Sequence, residues 1–170
     1  MIRSLKRLDE VHQKLVDTVE PLDSKLFTQR PSDTEWSVGE IVQHLYLVEK
    51  RVIKDLKRAI DAEPGRVSLL KRFIPTAIVS LRIKKFQAPK AVIPIEVPEK
   101  DVVVANYNGA RQSLKELCNS HGRERFKQLV FKHPFLGPID GTATVAFVGY
   151  HEQRHLKQIH EVLKKLGTQR

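Results

Sequence analysis

Two histidines near the end of the sequence, His151 and His155, have the spacing of metal ligands. Residues i and i+4 of an α-helix lie one turn apart on the same face, so both imidazoles can direct a nitrogen at one divalent ion. Both fall on an apolar helical stripe, which is set by Val148, Ile159, Val162 and Leu166. Burying two imidazoles without a shared partner would leave polar nitrogens unsatisfied. The pair predicts a metal site, with hydrogen-bonded wall histidines as the alternative.

The same segment contains the motif H-E-x-x-H, in which Glu152 would be the general base of a zinc peptidase. The extended motif of one peptidase class requires a glycine and a third histidine where this sequence has Gln158 and Glu161. The other class requires a glutamate further downstream, and little chain follows before Arg170. The sequence therefore does not favour a peptidase.

A third histidine, His44, lies at the edge of another helical stripe, about 80° from its centre. Glu40 lies one turn before it, and Arg51 and Asp55 continue the same line. These side chains indicate either part of a polar cleft or a solvated charged edge. His12, on the stripe of the first helix, is expected to be a hydrogen-bonded wall residue, with support of a metal site as the alternative.

Periodic apolar residues and end signals predict two helices in the first third of the chain. The first spans residues 5–19 and stops before Pro21. The second begins at a capping box formed by Ser37 and Glu40, and it ends at the Pro64–Gly65 pair. This second helix carries His44.

The remaining helices are predicted at residues 100–119, with a stop at Gly122, and from about Gly141 to Leu166, with Gly167 just beyond its end. Prolines interrupt residues 66–98, which predict a short kinked helix and then an extended lid or crossover. Residues 123–132 are predicted to be helical or irregular. Residues 133–138 contain two prolines and a glycine, so we expect a turn without regular structure.

The composition of the 170-residue chain, 41% hydrophobic and 29% charged, predicts one globular domain over residues 1–170. The net charge is +10, but the basic residues are spread along the chain and few aromatic residues accompany them. We therefore expect a solvated basic surface, or attraction to an anionic small molecule, rather than nucleic-acid binding.

Cys118 is the only cysteine, which excludes an internal disulfide, and we expect it to be a small core residue rather than a nucleophile. No stretch of about 18 apolar residues could span a membrane. The N-terminus runs directly into an amphipathic pattern without the features of a signal peptide. These observations predict a cytoplasmic protein in a reducing compartment.

Three segments together resemble the DinB-like superfamily: W-S-V-G-E-I-V-Q-H-L at residues 36–45, the turn at residues 133–137, and H-E-Q-R-H-L-K-Q-I at residues 151–159. The resemblance covers essentially the whole chain. It implies an all-α fold, an up-down-down-up four-helix bundle with an irregular crossover between its second and third helices. It also implies three histidines that bind a divalent metal, often nickel or zinc. By position these ligands are His44, His151 and His155.

The better characterised relatives include bacillithiol S-transferases, in which the metal activates a thiol for attack on an electrophile. Others use glutathione or mycothiol, and many have no known activity. The resemblance thus predicts transfer of a low-molecular-weight thiol to a small electrophile. The alternatives are a metal-dependent hydrolase, a metal-binding stress-related protein without transferase activity, and a nucleic-acid-associated protein.

Glu40, Glu152 and Gln158 lie within one turn of a ligand, where a carboxylate or amide oxygen could accept an imidazole N–H and fix its tautomer. Relatives often dimerise through bundle faces, so a homodimer is a further expectation. The apolar run at residues 73–83 is a candidate for that contact or for a cover over the site.

Overall fold

A computed structural model describes residues 2–65, 67, 89–133 and 137–167. The predictions for residues 68–88, including the kinked helix and the apolar run at residues 73–83, lie outside the described residues. The elements are α1 (Ile2–Val19), α2 (Ser24–Thr28), α3 (Val38–Ile60), a 3-10 turn (Lys90–Val92), α4 (Lys100–Gln128), β1 (Val130–His133), β2 (Gly137–Asp140) and α5 (Gly141–Lys165). Within these ranges no helix has the length and apolarity needed to cross a bilayer.

Helix α3 begins at the predicted capping box. The Ser37 hydroxyl accepts the Glu40 amide at 3.2 Å, and the Glu40 carboxylate accepts the Ser37 amide at 2.8 Å. Both bonds satisfy donors that a helix start otherwise leaves open. A side chain at Gly39 would come within 2.7 Å of the Phe27 ring, so α2 packs directly on this first turn. These local hydrogen bonds fix the start of α3 and therefore the position of His44 along the bundle axis.

The short helix α2 is absent from the sequence-based prediction. Five residues are too few to show a helical period, and the one clear signal is Asp23, whose carboxylate caps the Leu26 amide at 2.8 Å. The predicted stop at Gly122 is confirmed, because this residue has φ 70° and ψ 173° inside α4. The chain then continues as helix to Gln128.

The expectation of no regular structure at residues 133–138 is wrong for His133, Gly137 and Pro138, and residues 134–136 lie outside the described residues. Strands β1 and β2 pair antiparallel, with His133 opposite Gly137 and Lys132 opposite Pro138. A proline removes one ladder donor, which a two-stranded sheet tolerates because each strand is an edge. The fold is otherwise helical, as predicted. Helix α5 starts and ends as predicted, with Asp140 capping the Ala143 amide at 2.9 Å and Gly167 at φ 83°.

Two apolar clusters give the direction of each long helix. The first joins the C-terminal halves of α1 and α5 to the N-terminal halves of α3 and α4, through residues such as Leu15, Ile159, Ile41 and Val103. The second joins the opposite halves, through Leu8, Val148, Leu56 and Leu114. Helices α1 and α5 therefore run one way and α3 and α4 the other. This is the predicted up-down-down-up four-helix bundle.

A layer of buried charge separates the two apolar clusters. Glu49 lies between the two cluster regions of α3, Arg111 between those of α4, and Glu152 between those of α5. Their exposed fractions are 1%, 3% and 1%. Isolated buried charges are costly, so each of these side chains needs a partner inside the bundle.

Candidate metal centre

His151 and His155 lie one turn apart on α5, as their spacing predicts. Their Nε2 atoms are 3.2 Å apart and their ring centroids 4.5 Å apart. Each ring is angled edge-on to the other, at 69° between planes. Both imidazoles therefore present nitrogens to the same small volume.

His44 joins this pair from α3. Because α3 and α5 run antiparallel, the early turns of α3 stand level with the later half of α5, and the ring centroid of His44 lies 5.3 Å from that of His151 and 4.9 Å from that of His155. The three side chains can each offer a nitrogen within 4.8 Å of the others. The structure thus brings the three histidines together, and His44 is 3% exposed, so it does not lie on a solvated edge. The polar cleft predicted around it does not form, because Arg51 pairs with Asp55 at 2.7 Å on an exposed part of α3.

Hydrogen bonds to protein groups orient two of the rings. The Nδ1–H of His44 donates to the carbonyl oxygen of Val92 at 2.7 Å, and the Nδ1–H of His155 donates to the Gln158 amide oxygen at 3.0 Å. A carbonyl oxygen only accepts, so Nδ1 carries the proton in each ring and Nε2 keeps its lone pair. Fixing a ligand's tautomer in this way raises its basicity toward a metal.

Burial lowers the pKa of the His44 imidazole, and the bond to Val92 opposes that shift in part. A lowered pKa keeps the ring neutral near pH 7. Metals bind the neutral form, so the environment favours the state that a ligand needs. Three neutral imidazoles form a donor set that suits borderline divalent ions such as zinc or nickel.

The three residues predicted to support the ligands have different positions. Gln158 contacts His155, as described above. The Glu40 carboxylate is instead bonded to Ser37 and to Arg30, whose Nε donates at 2.8 Å. Burial would raise the pKa of Glu40, but the bonds from Arg30 and Ser37 outweigh it and lower the pKa. Glu152 accepts from Tyr107 and Arg111 in the buried charged layer.

Two aromatic rings border the histidines, and sequence reasoning did not assign them to the site. The Trp36 ring lies 5.1 Å from that of His44, and Phe147 stacks on His151 at 5.4 Å with 26° between planes. Trp36 precedes α3, and Phe147 lies one turn before His151 on α5, so the rings lie on opposite sides of the cluster along the bundle axis. The i, i+4 spacing of Phe147 and His151 was a usable signal. The Val92 carbonyl gave none, because backbone groups do not depend on side-chain type.

His12 and Cys118 have the structural roles predicted for them. The Nε2–H of His12 donates to the Asn108 side-chain oxygen at 2.8 Å, and its ring lies against Tyr107 with centroids 4.4 Å apart. Cys118 is fully buried, and burial raises the pKa of its thiol to about 12. A thiol with so high a pKa is almost entirely protonated at neutral pH, and the thiolate is the nucleophilic form.

The fold and the cluster define a helical bundle with three convergent histidines on two antiparallel helices. The model of the DinB superfamily matches residues 7–159, and the chain belongs to this family. The uncharacterized protein YuaE of Bacillus subtilis (strain 168) is 31% identical over an alignment of 152 residues, and the alignment covers 85% of this chain and 86% of YuaE.

Two solved structures have the same fold. YfiT from Bacillus subtilis, described as a probable metal-dependent hydrolase with an unusual four-helix bundle topology, matches with a TM-score of 0.67 and 19% identity over 97% of this chain and 86% of its own. TT2238, a four-helix bundle protein, matches with a TM-score of 0.62 and 19% identity over 94% and 97%. At this identity the two likenesses establish the fold and not the chemistry.

Proposed function

We propose that this chain is a metal-dependent enzyme that transfers a low-molecular-weight thiol to an electrophilic small molecule. His44, His151 and His155 would hold the divalent ion, zinc or nickel. The observation that carries the proposal is the convergence of three histidine nitrogens, within 4.8 Å of one another, from two separate helices.

A divalent ion held by three neutral imidazoles keeps its positive charge and supplies a Lewis acid that lowers the pKa of a thiol or of water. The chain's own groups prepare the site for it. Val92 and Gln158 fix the tautomers of His44 and His155. Trp36 and Phe147 lie against His44 and His151, with ring centroids 5.1 and 5.4 Å away, and add apolar surface beside the cluster.

The nucleophile in this proposal comes from solution. The chain's one thiol, Cys118, is buried and its pKa is raised to about 12, so it is unsuited to attack an electrophile. The net charge of +10 favours approach of an anionic thiol such as bacillithiol or glutathione. If the charge steers the thiol, its apparent second-order rate falls as salt is raised; a rate independent of salt would remove this part of the proposal.

Hydrolysis is the second candidate. It is favoured by the description of YfiT as a probable metal-dependent hydrolase, and the same three ligands would serve to activate water in place of a thiol. The two reactions use one site and differ in the nucleophile, so a single set of assays separates them.

The test begins with metal content. We expect purified protein reconstituted with zinc or nickel to bind one ion. We expect His151→Ala to weaken binding more than about 100-fold, because losing only a residue that hydrogen-bonds to a metal ligand costs about 10–100-fold in affinity. His160→Ala is the matched control, since His160 is exposed on the same helix. Equal affinity in wild type and His151→Ala would overturn the metal site.

The reaction is then tested on the metal-loaded protein. Bacillithiol, glutathione and mycothiol are each combined with a panel of epoxides and halogenated electrophiles, and thioether formation is followed by mass spectrometry. A panel of esters and amides without thiol tests hydrolysis. Conjugation that His151→Ala abolishes supports the transferase. Hydrolysis alone would favour the second candidate, and bound metal without either reaction would favour a metal-binding stress-related protein.

The homodimer and the cytoplasmic location stay predictions. Light scattering on the eluting protein tests the first, with a mass near twice the 19.5 kDa of the chain expected for a dimer. A salt-dependent shift of labelled DNA would contradict the expectation that nucleic acid is not a partner.

A further inference from the structure

Arg111 lies at the centre of the buried charged layer and bonds to three helices at once. Its Nη1 donates to the Leu8 carbonyl of α1 at 2.7 Å. Its Nε and Nη2 donate to the two carboxylate oxygens of Glu49 on α3, at 2.8 and 3.1 Å. Nη2 also donates to Glu152 Oε1 on α5, at 2.5 Å. From α4, one side chain therefore reaches every other long helix of the bundle.

Both carboxylates that Arg111 joins lie on the helices that carry the clustered histidines. Glu49 follows His44 by five residues on α3, and Glu152 lies between His151 and His155 on α5. A guanidinium is planar and presents its donors in a fixed fork, so the two carboxylates it binds are held at a defined separation and orientation. The spacing of α3 and α5 is thereby tied to the geometry of one side chain.

Stability alone does not account for this arrangement. Buried ion pairs are weak stabilisers, and well-packed apolar replacements are often neutral or stabilising. Here two carboxylates share one guanidinium, and burial raises the pKa of Glu49 against the opposing effect of Arg111. Within the described part of the chain, Glu152 Oε2 has no hydrogen-bond partner although it is buried. Buried ionic groups can instead specify one arrangement of the helices that carry them.

Tyr107 adds a second constraint on the same carboxylate. Its hydroxyl donates to Glu152 Oε1, the oxygen that Arg111 also binds, and the Tyr107 side chain is fully buried. Glu152 is therefore fixed from two successive turns of α4. A carboxylate restrained in this way limits rotation of α5 about its own axis, and rotation of α5 is the motion that would turn His151 and His155 away from His44.

We propose that Arg111 is a positioning residue that holds α3 and α5 in the register at which His44, His151 and His155 converge. The expected effect on metal binding rests on the proposed function, because it assumes that these histidines bind a divalent ion. The convergence can be measured in protein stripped of metal, so the role of Arg111 can be tested apart from metal binding.

The test replaces the network by apolar side chains of similar size: Glu49→Leu, Tyr107→Phe, Arg111→Met and Glu152→Leu combined. This variant leaves no unpaired charge in the layer, so we expect it to fold, as judged by circular dichroism and thermal unfolding. Arg111→Lys is the second variant. It keeps the charge but lacks the fork, and it carries the same test if the apolar variant does not fold.

Two measurements are made on each variant. In metal-free protein, nuclear Overhauser effects between the His44 and His151 rings report convergence, and those between His151 and His155 on one helix are the internal control. In metal-loaded protein, competition titration gives the zinc affinity, and cobalt(II) substitution gives an absorption spectrum that depends on ligand geometry. We expect the His44–His151 effects to be lost, the control effects to persist, zinc affinity to fall at least about 10-fold, and the cobalt spectrum to change.

The outcomes separate the two proposals. Retained His44–His151 effects in a folded variant, with unchanged zinc affinity and cobalt spectrum, would overturn the role of Arg111 and leave the metal site standing. Loss of those effects in the variant, together with wild-type protein that binds no divalent ion, would support the role of Arg111 and overturn the proposed function.

Discussion

Two polar clusters lie inside the same bundle and are built differently. In the charged layer each nitrogen of Arg111 donates to a protein oxygen. In the histidine cluster the Nδ1 atoms of His44 and His155 are bonded to protein, and the Nε2 atoms of His151 and His155 lie 3.2 Å apart. Hydrogen bonds from Arg111 to its acceptors fix the positions of the side chains around it. Three imidazoles that each offer a nitrogen within 4.8 Å of the others could instead bind a divalent cation.

The largest effect is expected from breaking the charged layer on one side. Arg111→Met leaves the carboxylates of Glu49 and Glu152 buried without their cation, and we expect it to lower the free energy of unfolding by about 3–5 kcal/mol. Lys115→Met is the matched control, because its 3.1 Å pair with Asp9 is partly exposed to solvent and worth less than about 1 kcal/mol. Urea denaturation measures both. Equal losses would contradict the role of Arg111 as the cation of a buried charged layer.

The next effect concerns the histidine cluster. Gln158→Leu removes the acceptor of the His155 Nδ1–H, so the ring loses its fixed tautomer, and we expect zinc affinity to fall about 10–100-fold with little change in metal-free stability. Gln153→Leu, on the same helix, should leave affinity unchanged. A competition titration with a chromophoric chelator measures both variants, and identical affinities would remove Gln158 from the site.

A smaller effect is expected at the start of α3. The pKa of Glu40 is lowered in the folded protein, so its stabilisation is present above the pKa of an unfolded glutamate and disappears as the pH falls through the folded value. We expect Glu40→Gln to cost no more than about 1 kcal/mol at pH 7 and progressively less in acid. Unfolding free energies between pH 7 and pH 3 test this, with Glu63→Gln as the exposed control. A cost that grows in acid would contradict the sign.

The smallest effect is expected at Cys118. Because the thiol is fully buried with its pKa raised to about 12, a disulfide reagent should label it only after unfolding. Cys118→Ala should leave metal affinity and any catalysed reaction unchanged within about twofold, since a residue in the second apolar cluster contacts neither ligand nor nucleophile. Rapid labelling of the native protein would show that the thiol is accessible after all.

The sequence predicts the parts of this molecule that local patterns encode. The capping box at Ser37 and Glu40, the break at Gly122 and the facing of His151 and His155 each depend on residues within one or two turns. Prediction from the sequence fails where the determining segment is short or where the determining residues are far apart along the chain. Helix α2 has one capping residue as its signal. Strands β1 and β2 pair despite Pro138 because each is an edge strand, which can lose one backbone donor.

The candidate site shows the same division. Two histidines follow from helical spacing, whereas His44 required a resemblance, because its partners lie more than one hundred positions away in the sequence. Glu40 and Glu152 are close to the predicted ligands along the chain, but their carboxylates accept hydrogen bonds from Arg30 and Arg111 instead. No local pattern could name Arg111, since its role depends on three helices that only the folded bundle brings around it.

The parallel pairing of α1 with α5 has a consequence for synthesis. During translation α1, α3 and α4 emerge first, and a nascent chain at that stage contains His44 but neither of its two companions. Residues of α1 such as Leu8 and Leu15 then lack the α5 surface on which they pack in the bundle. The three histidines can therefore come together only after the last helix has docked, and under the proposed function incomplete chains emerging from the ribosome would not compete with the finished protein for the cell's divalent ions.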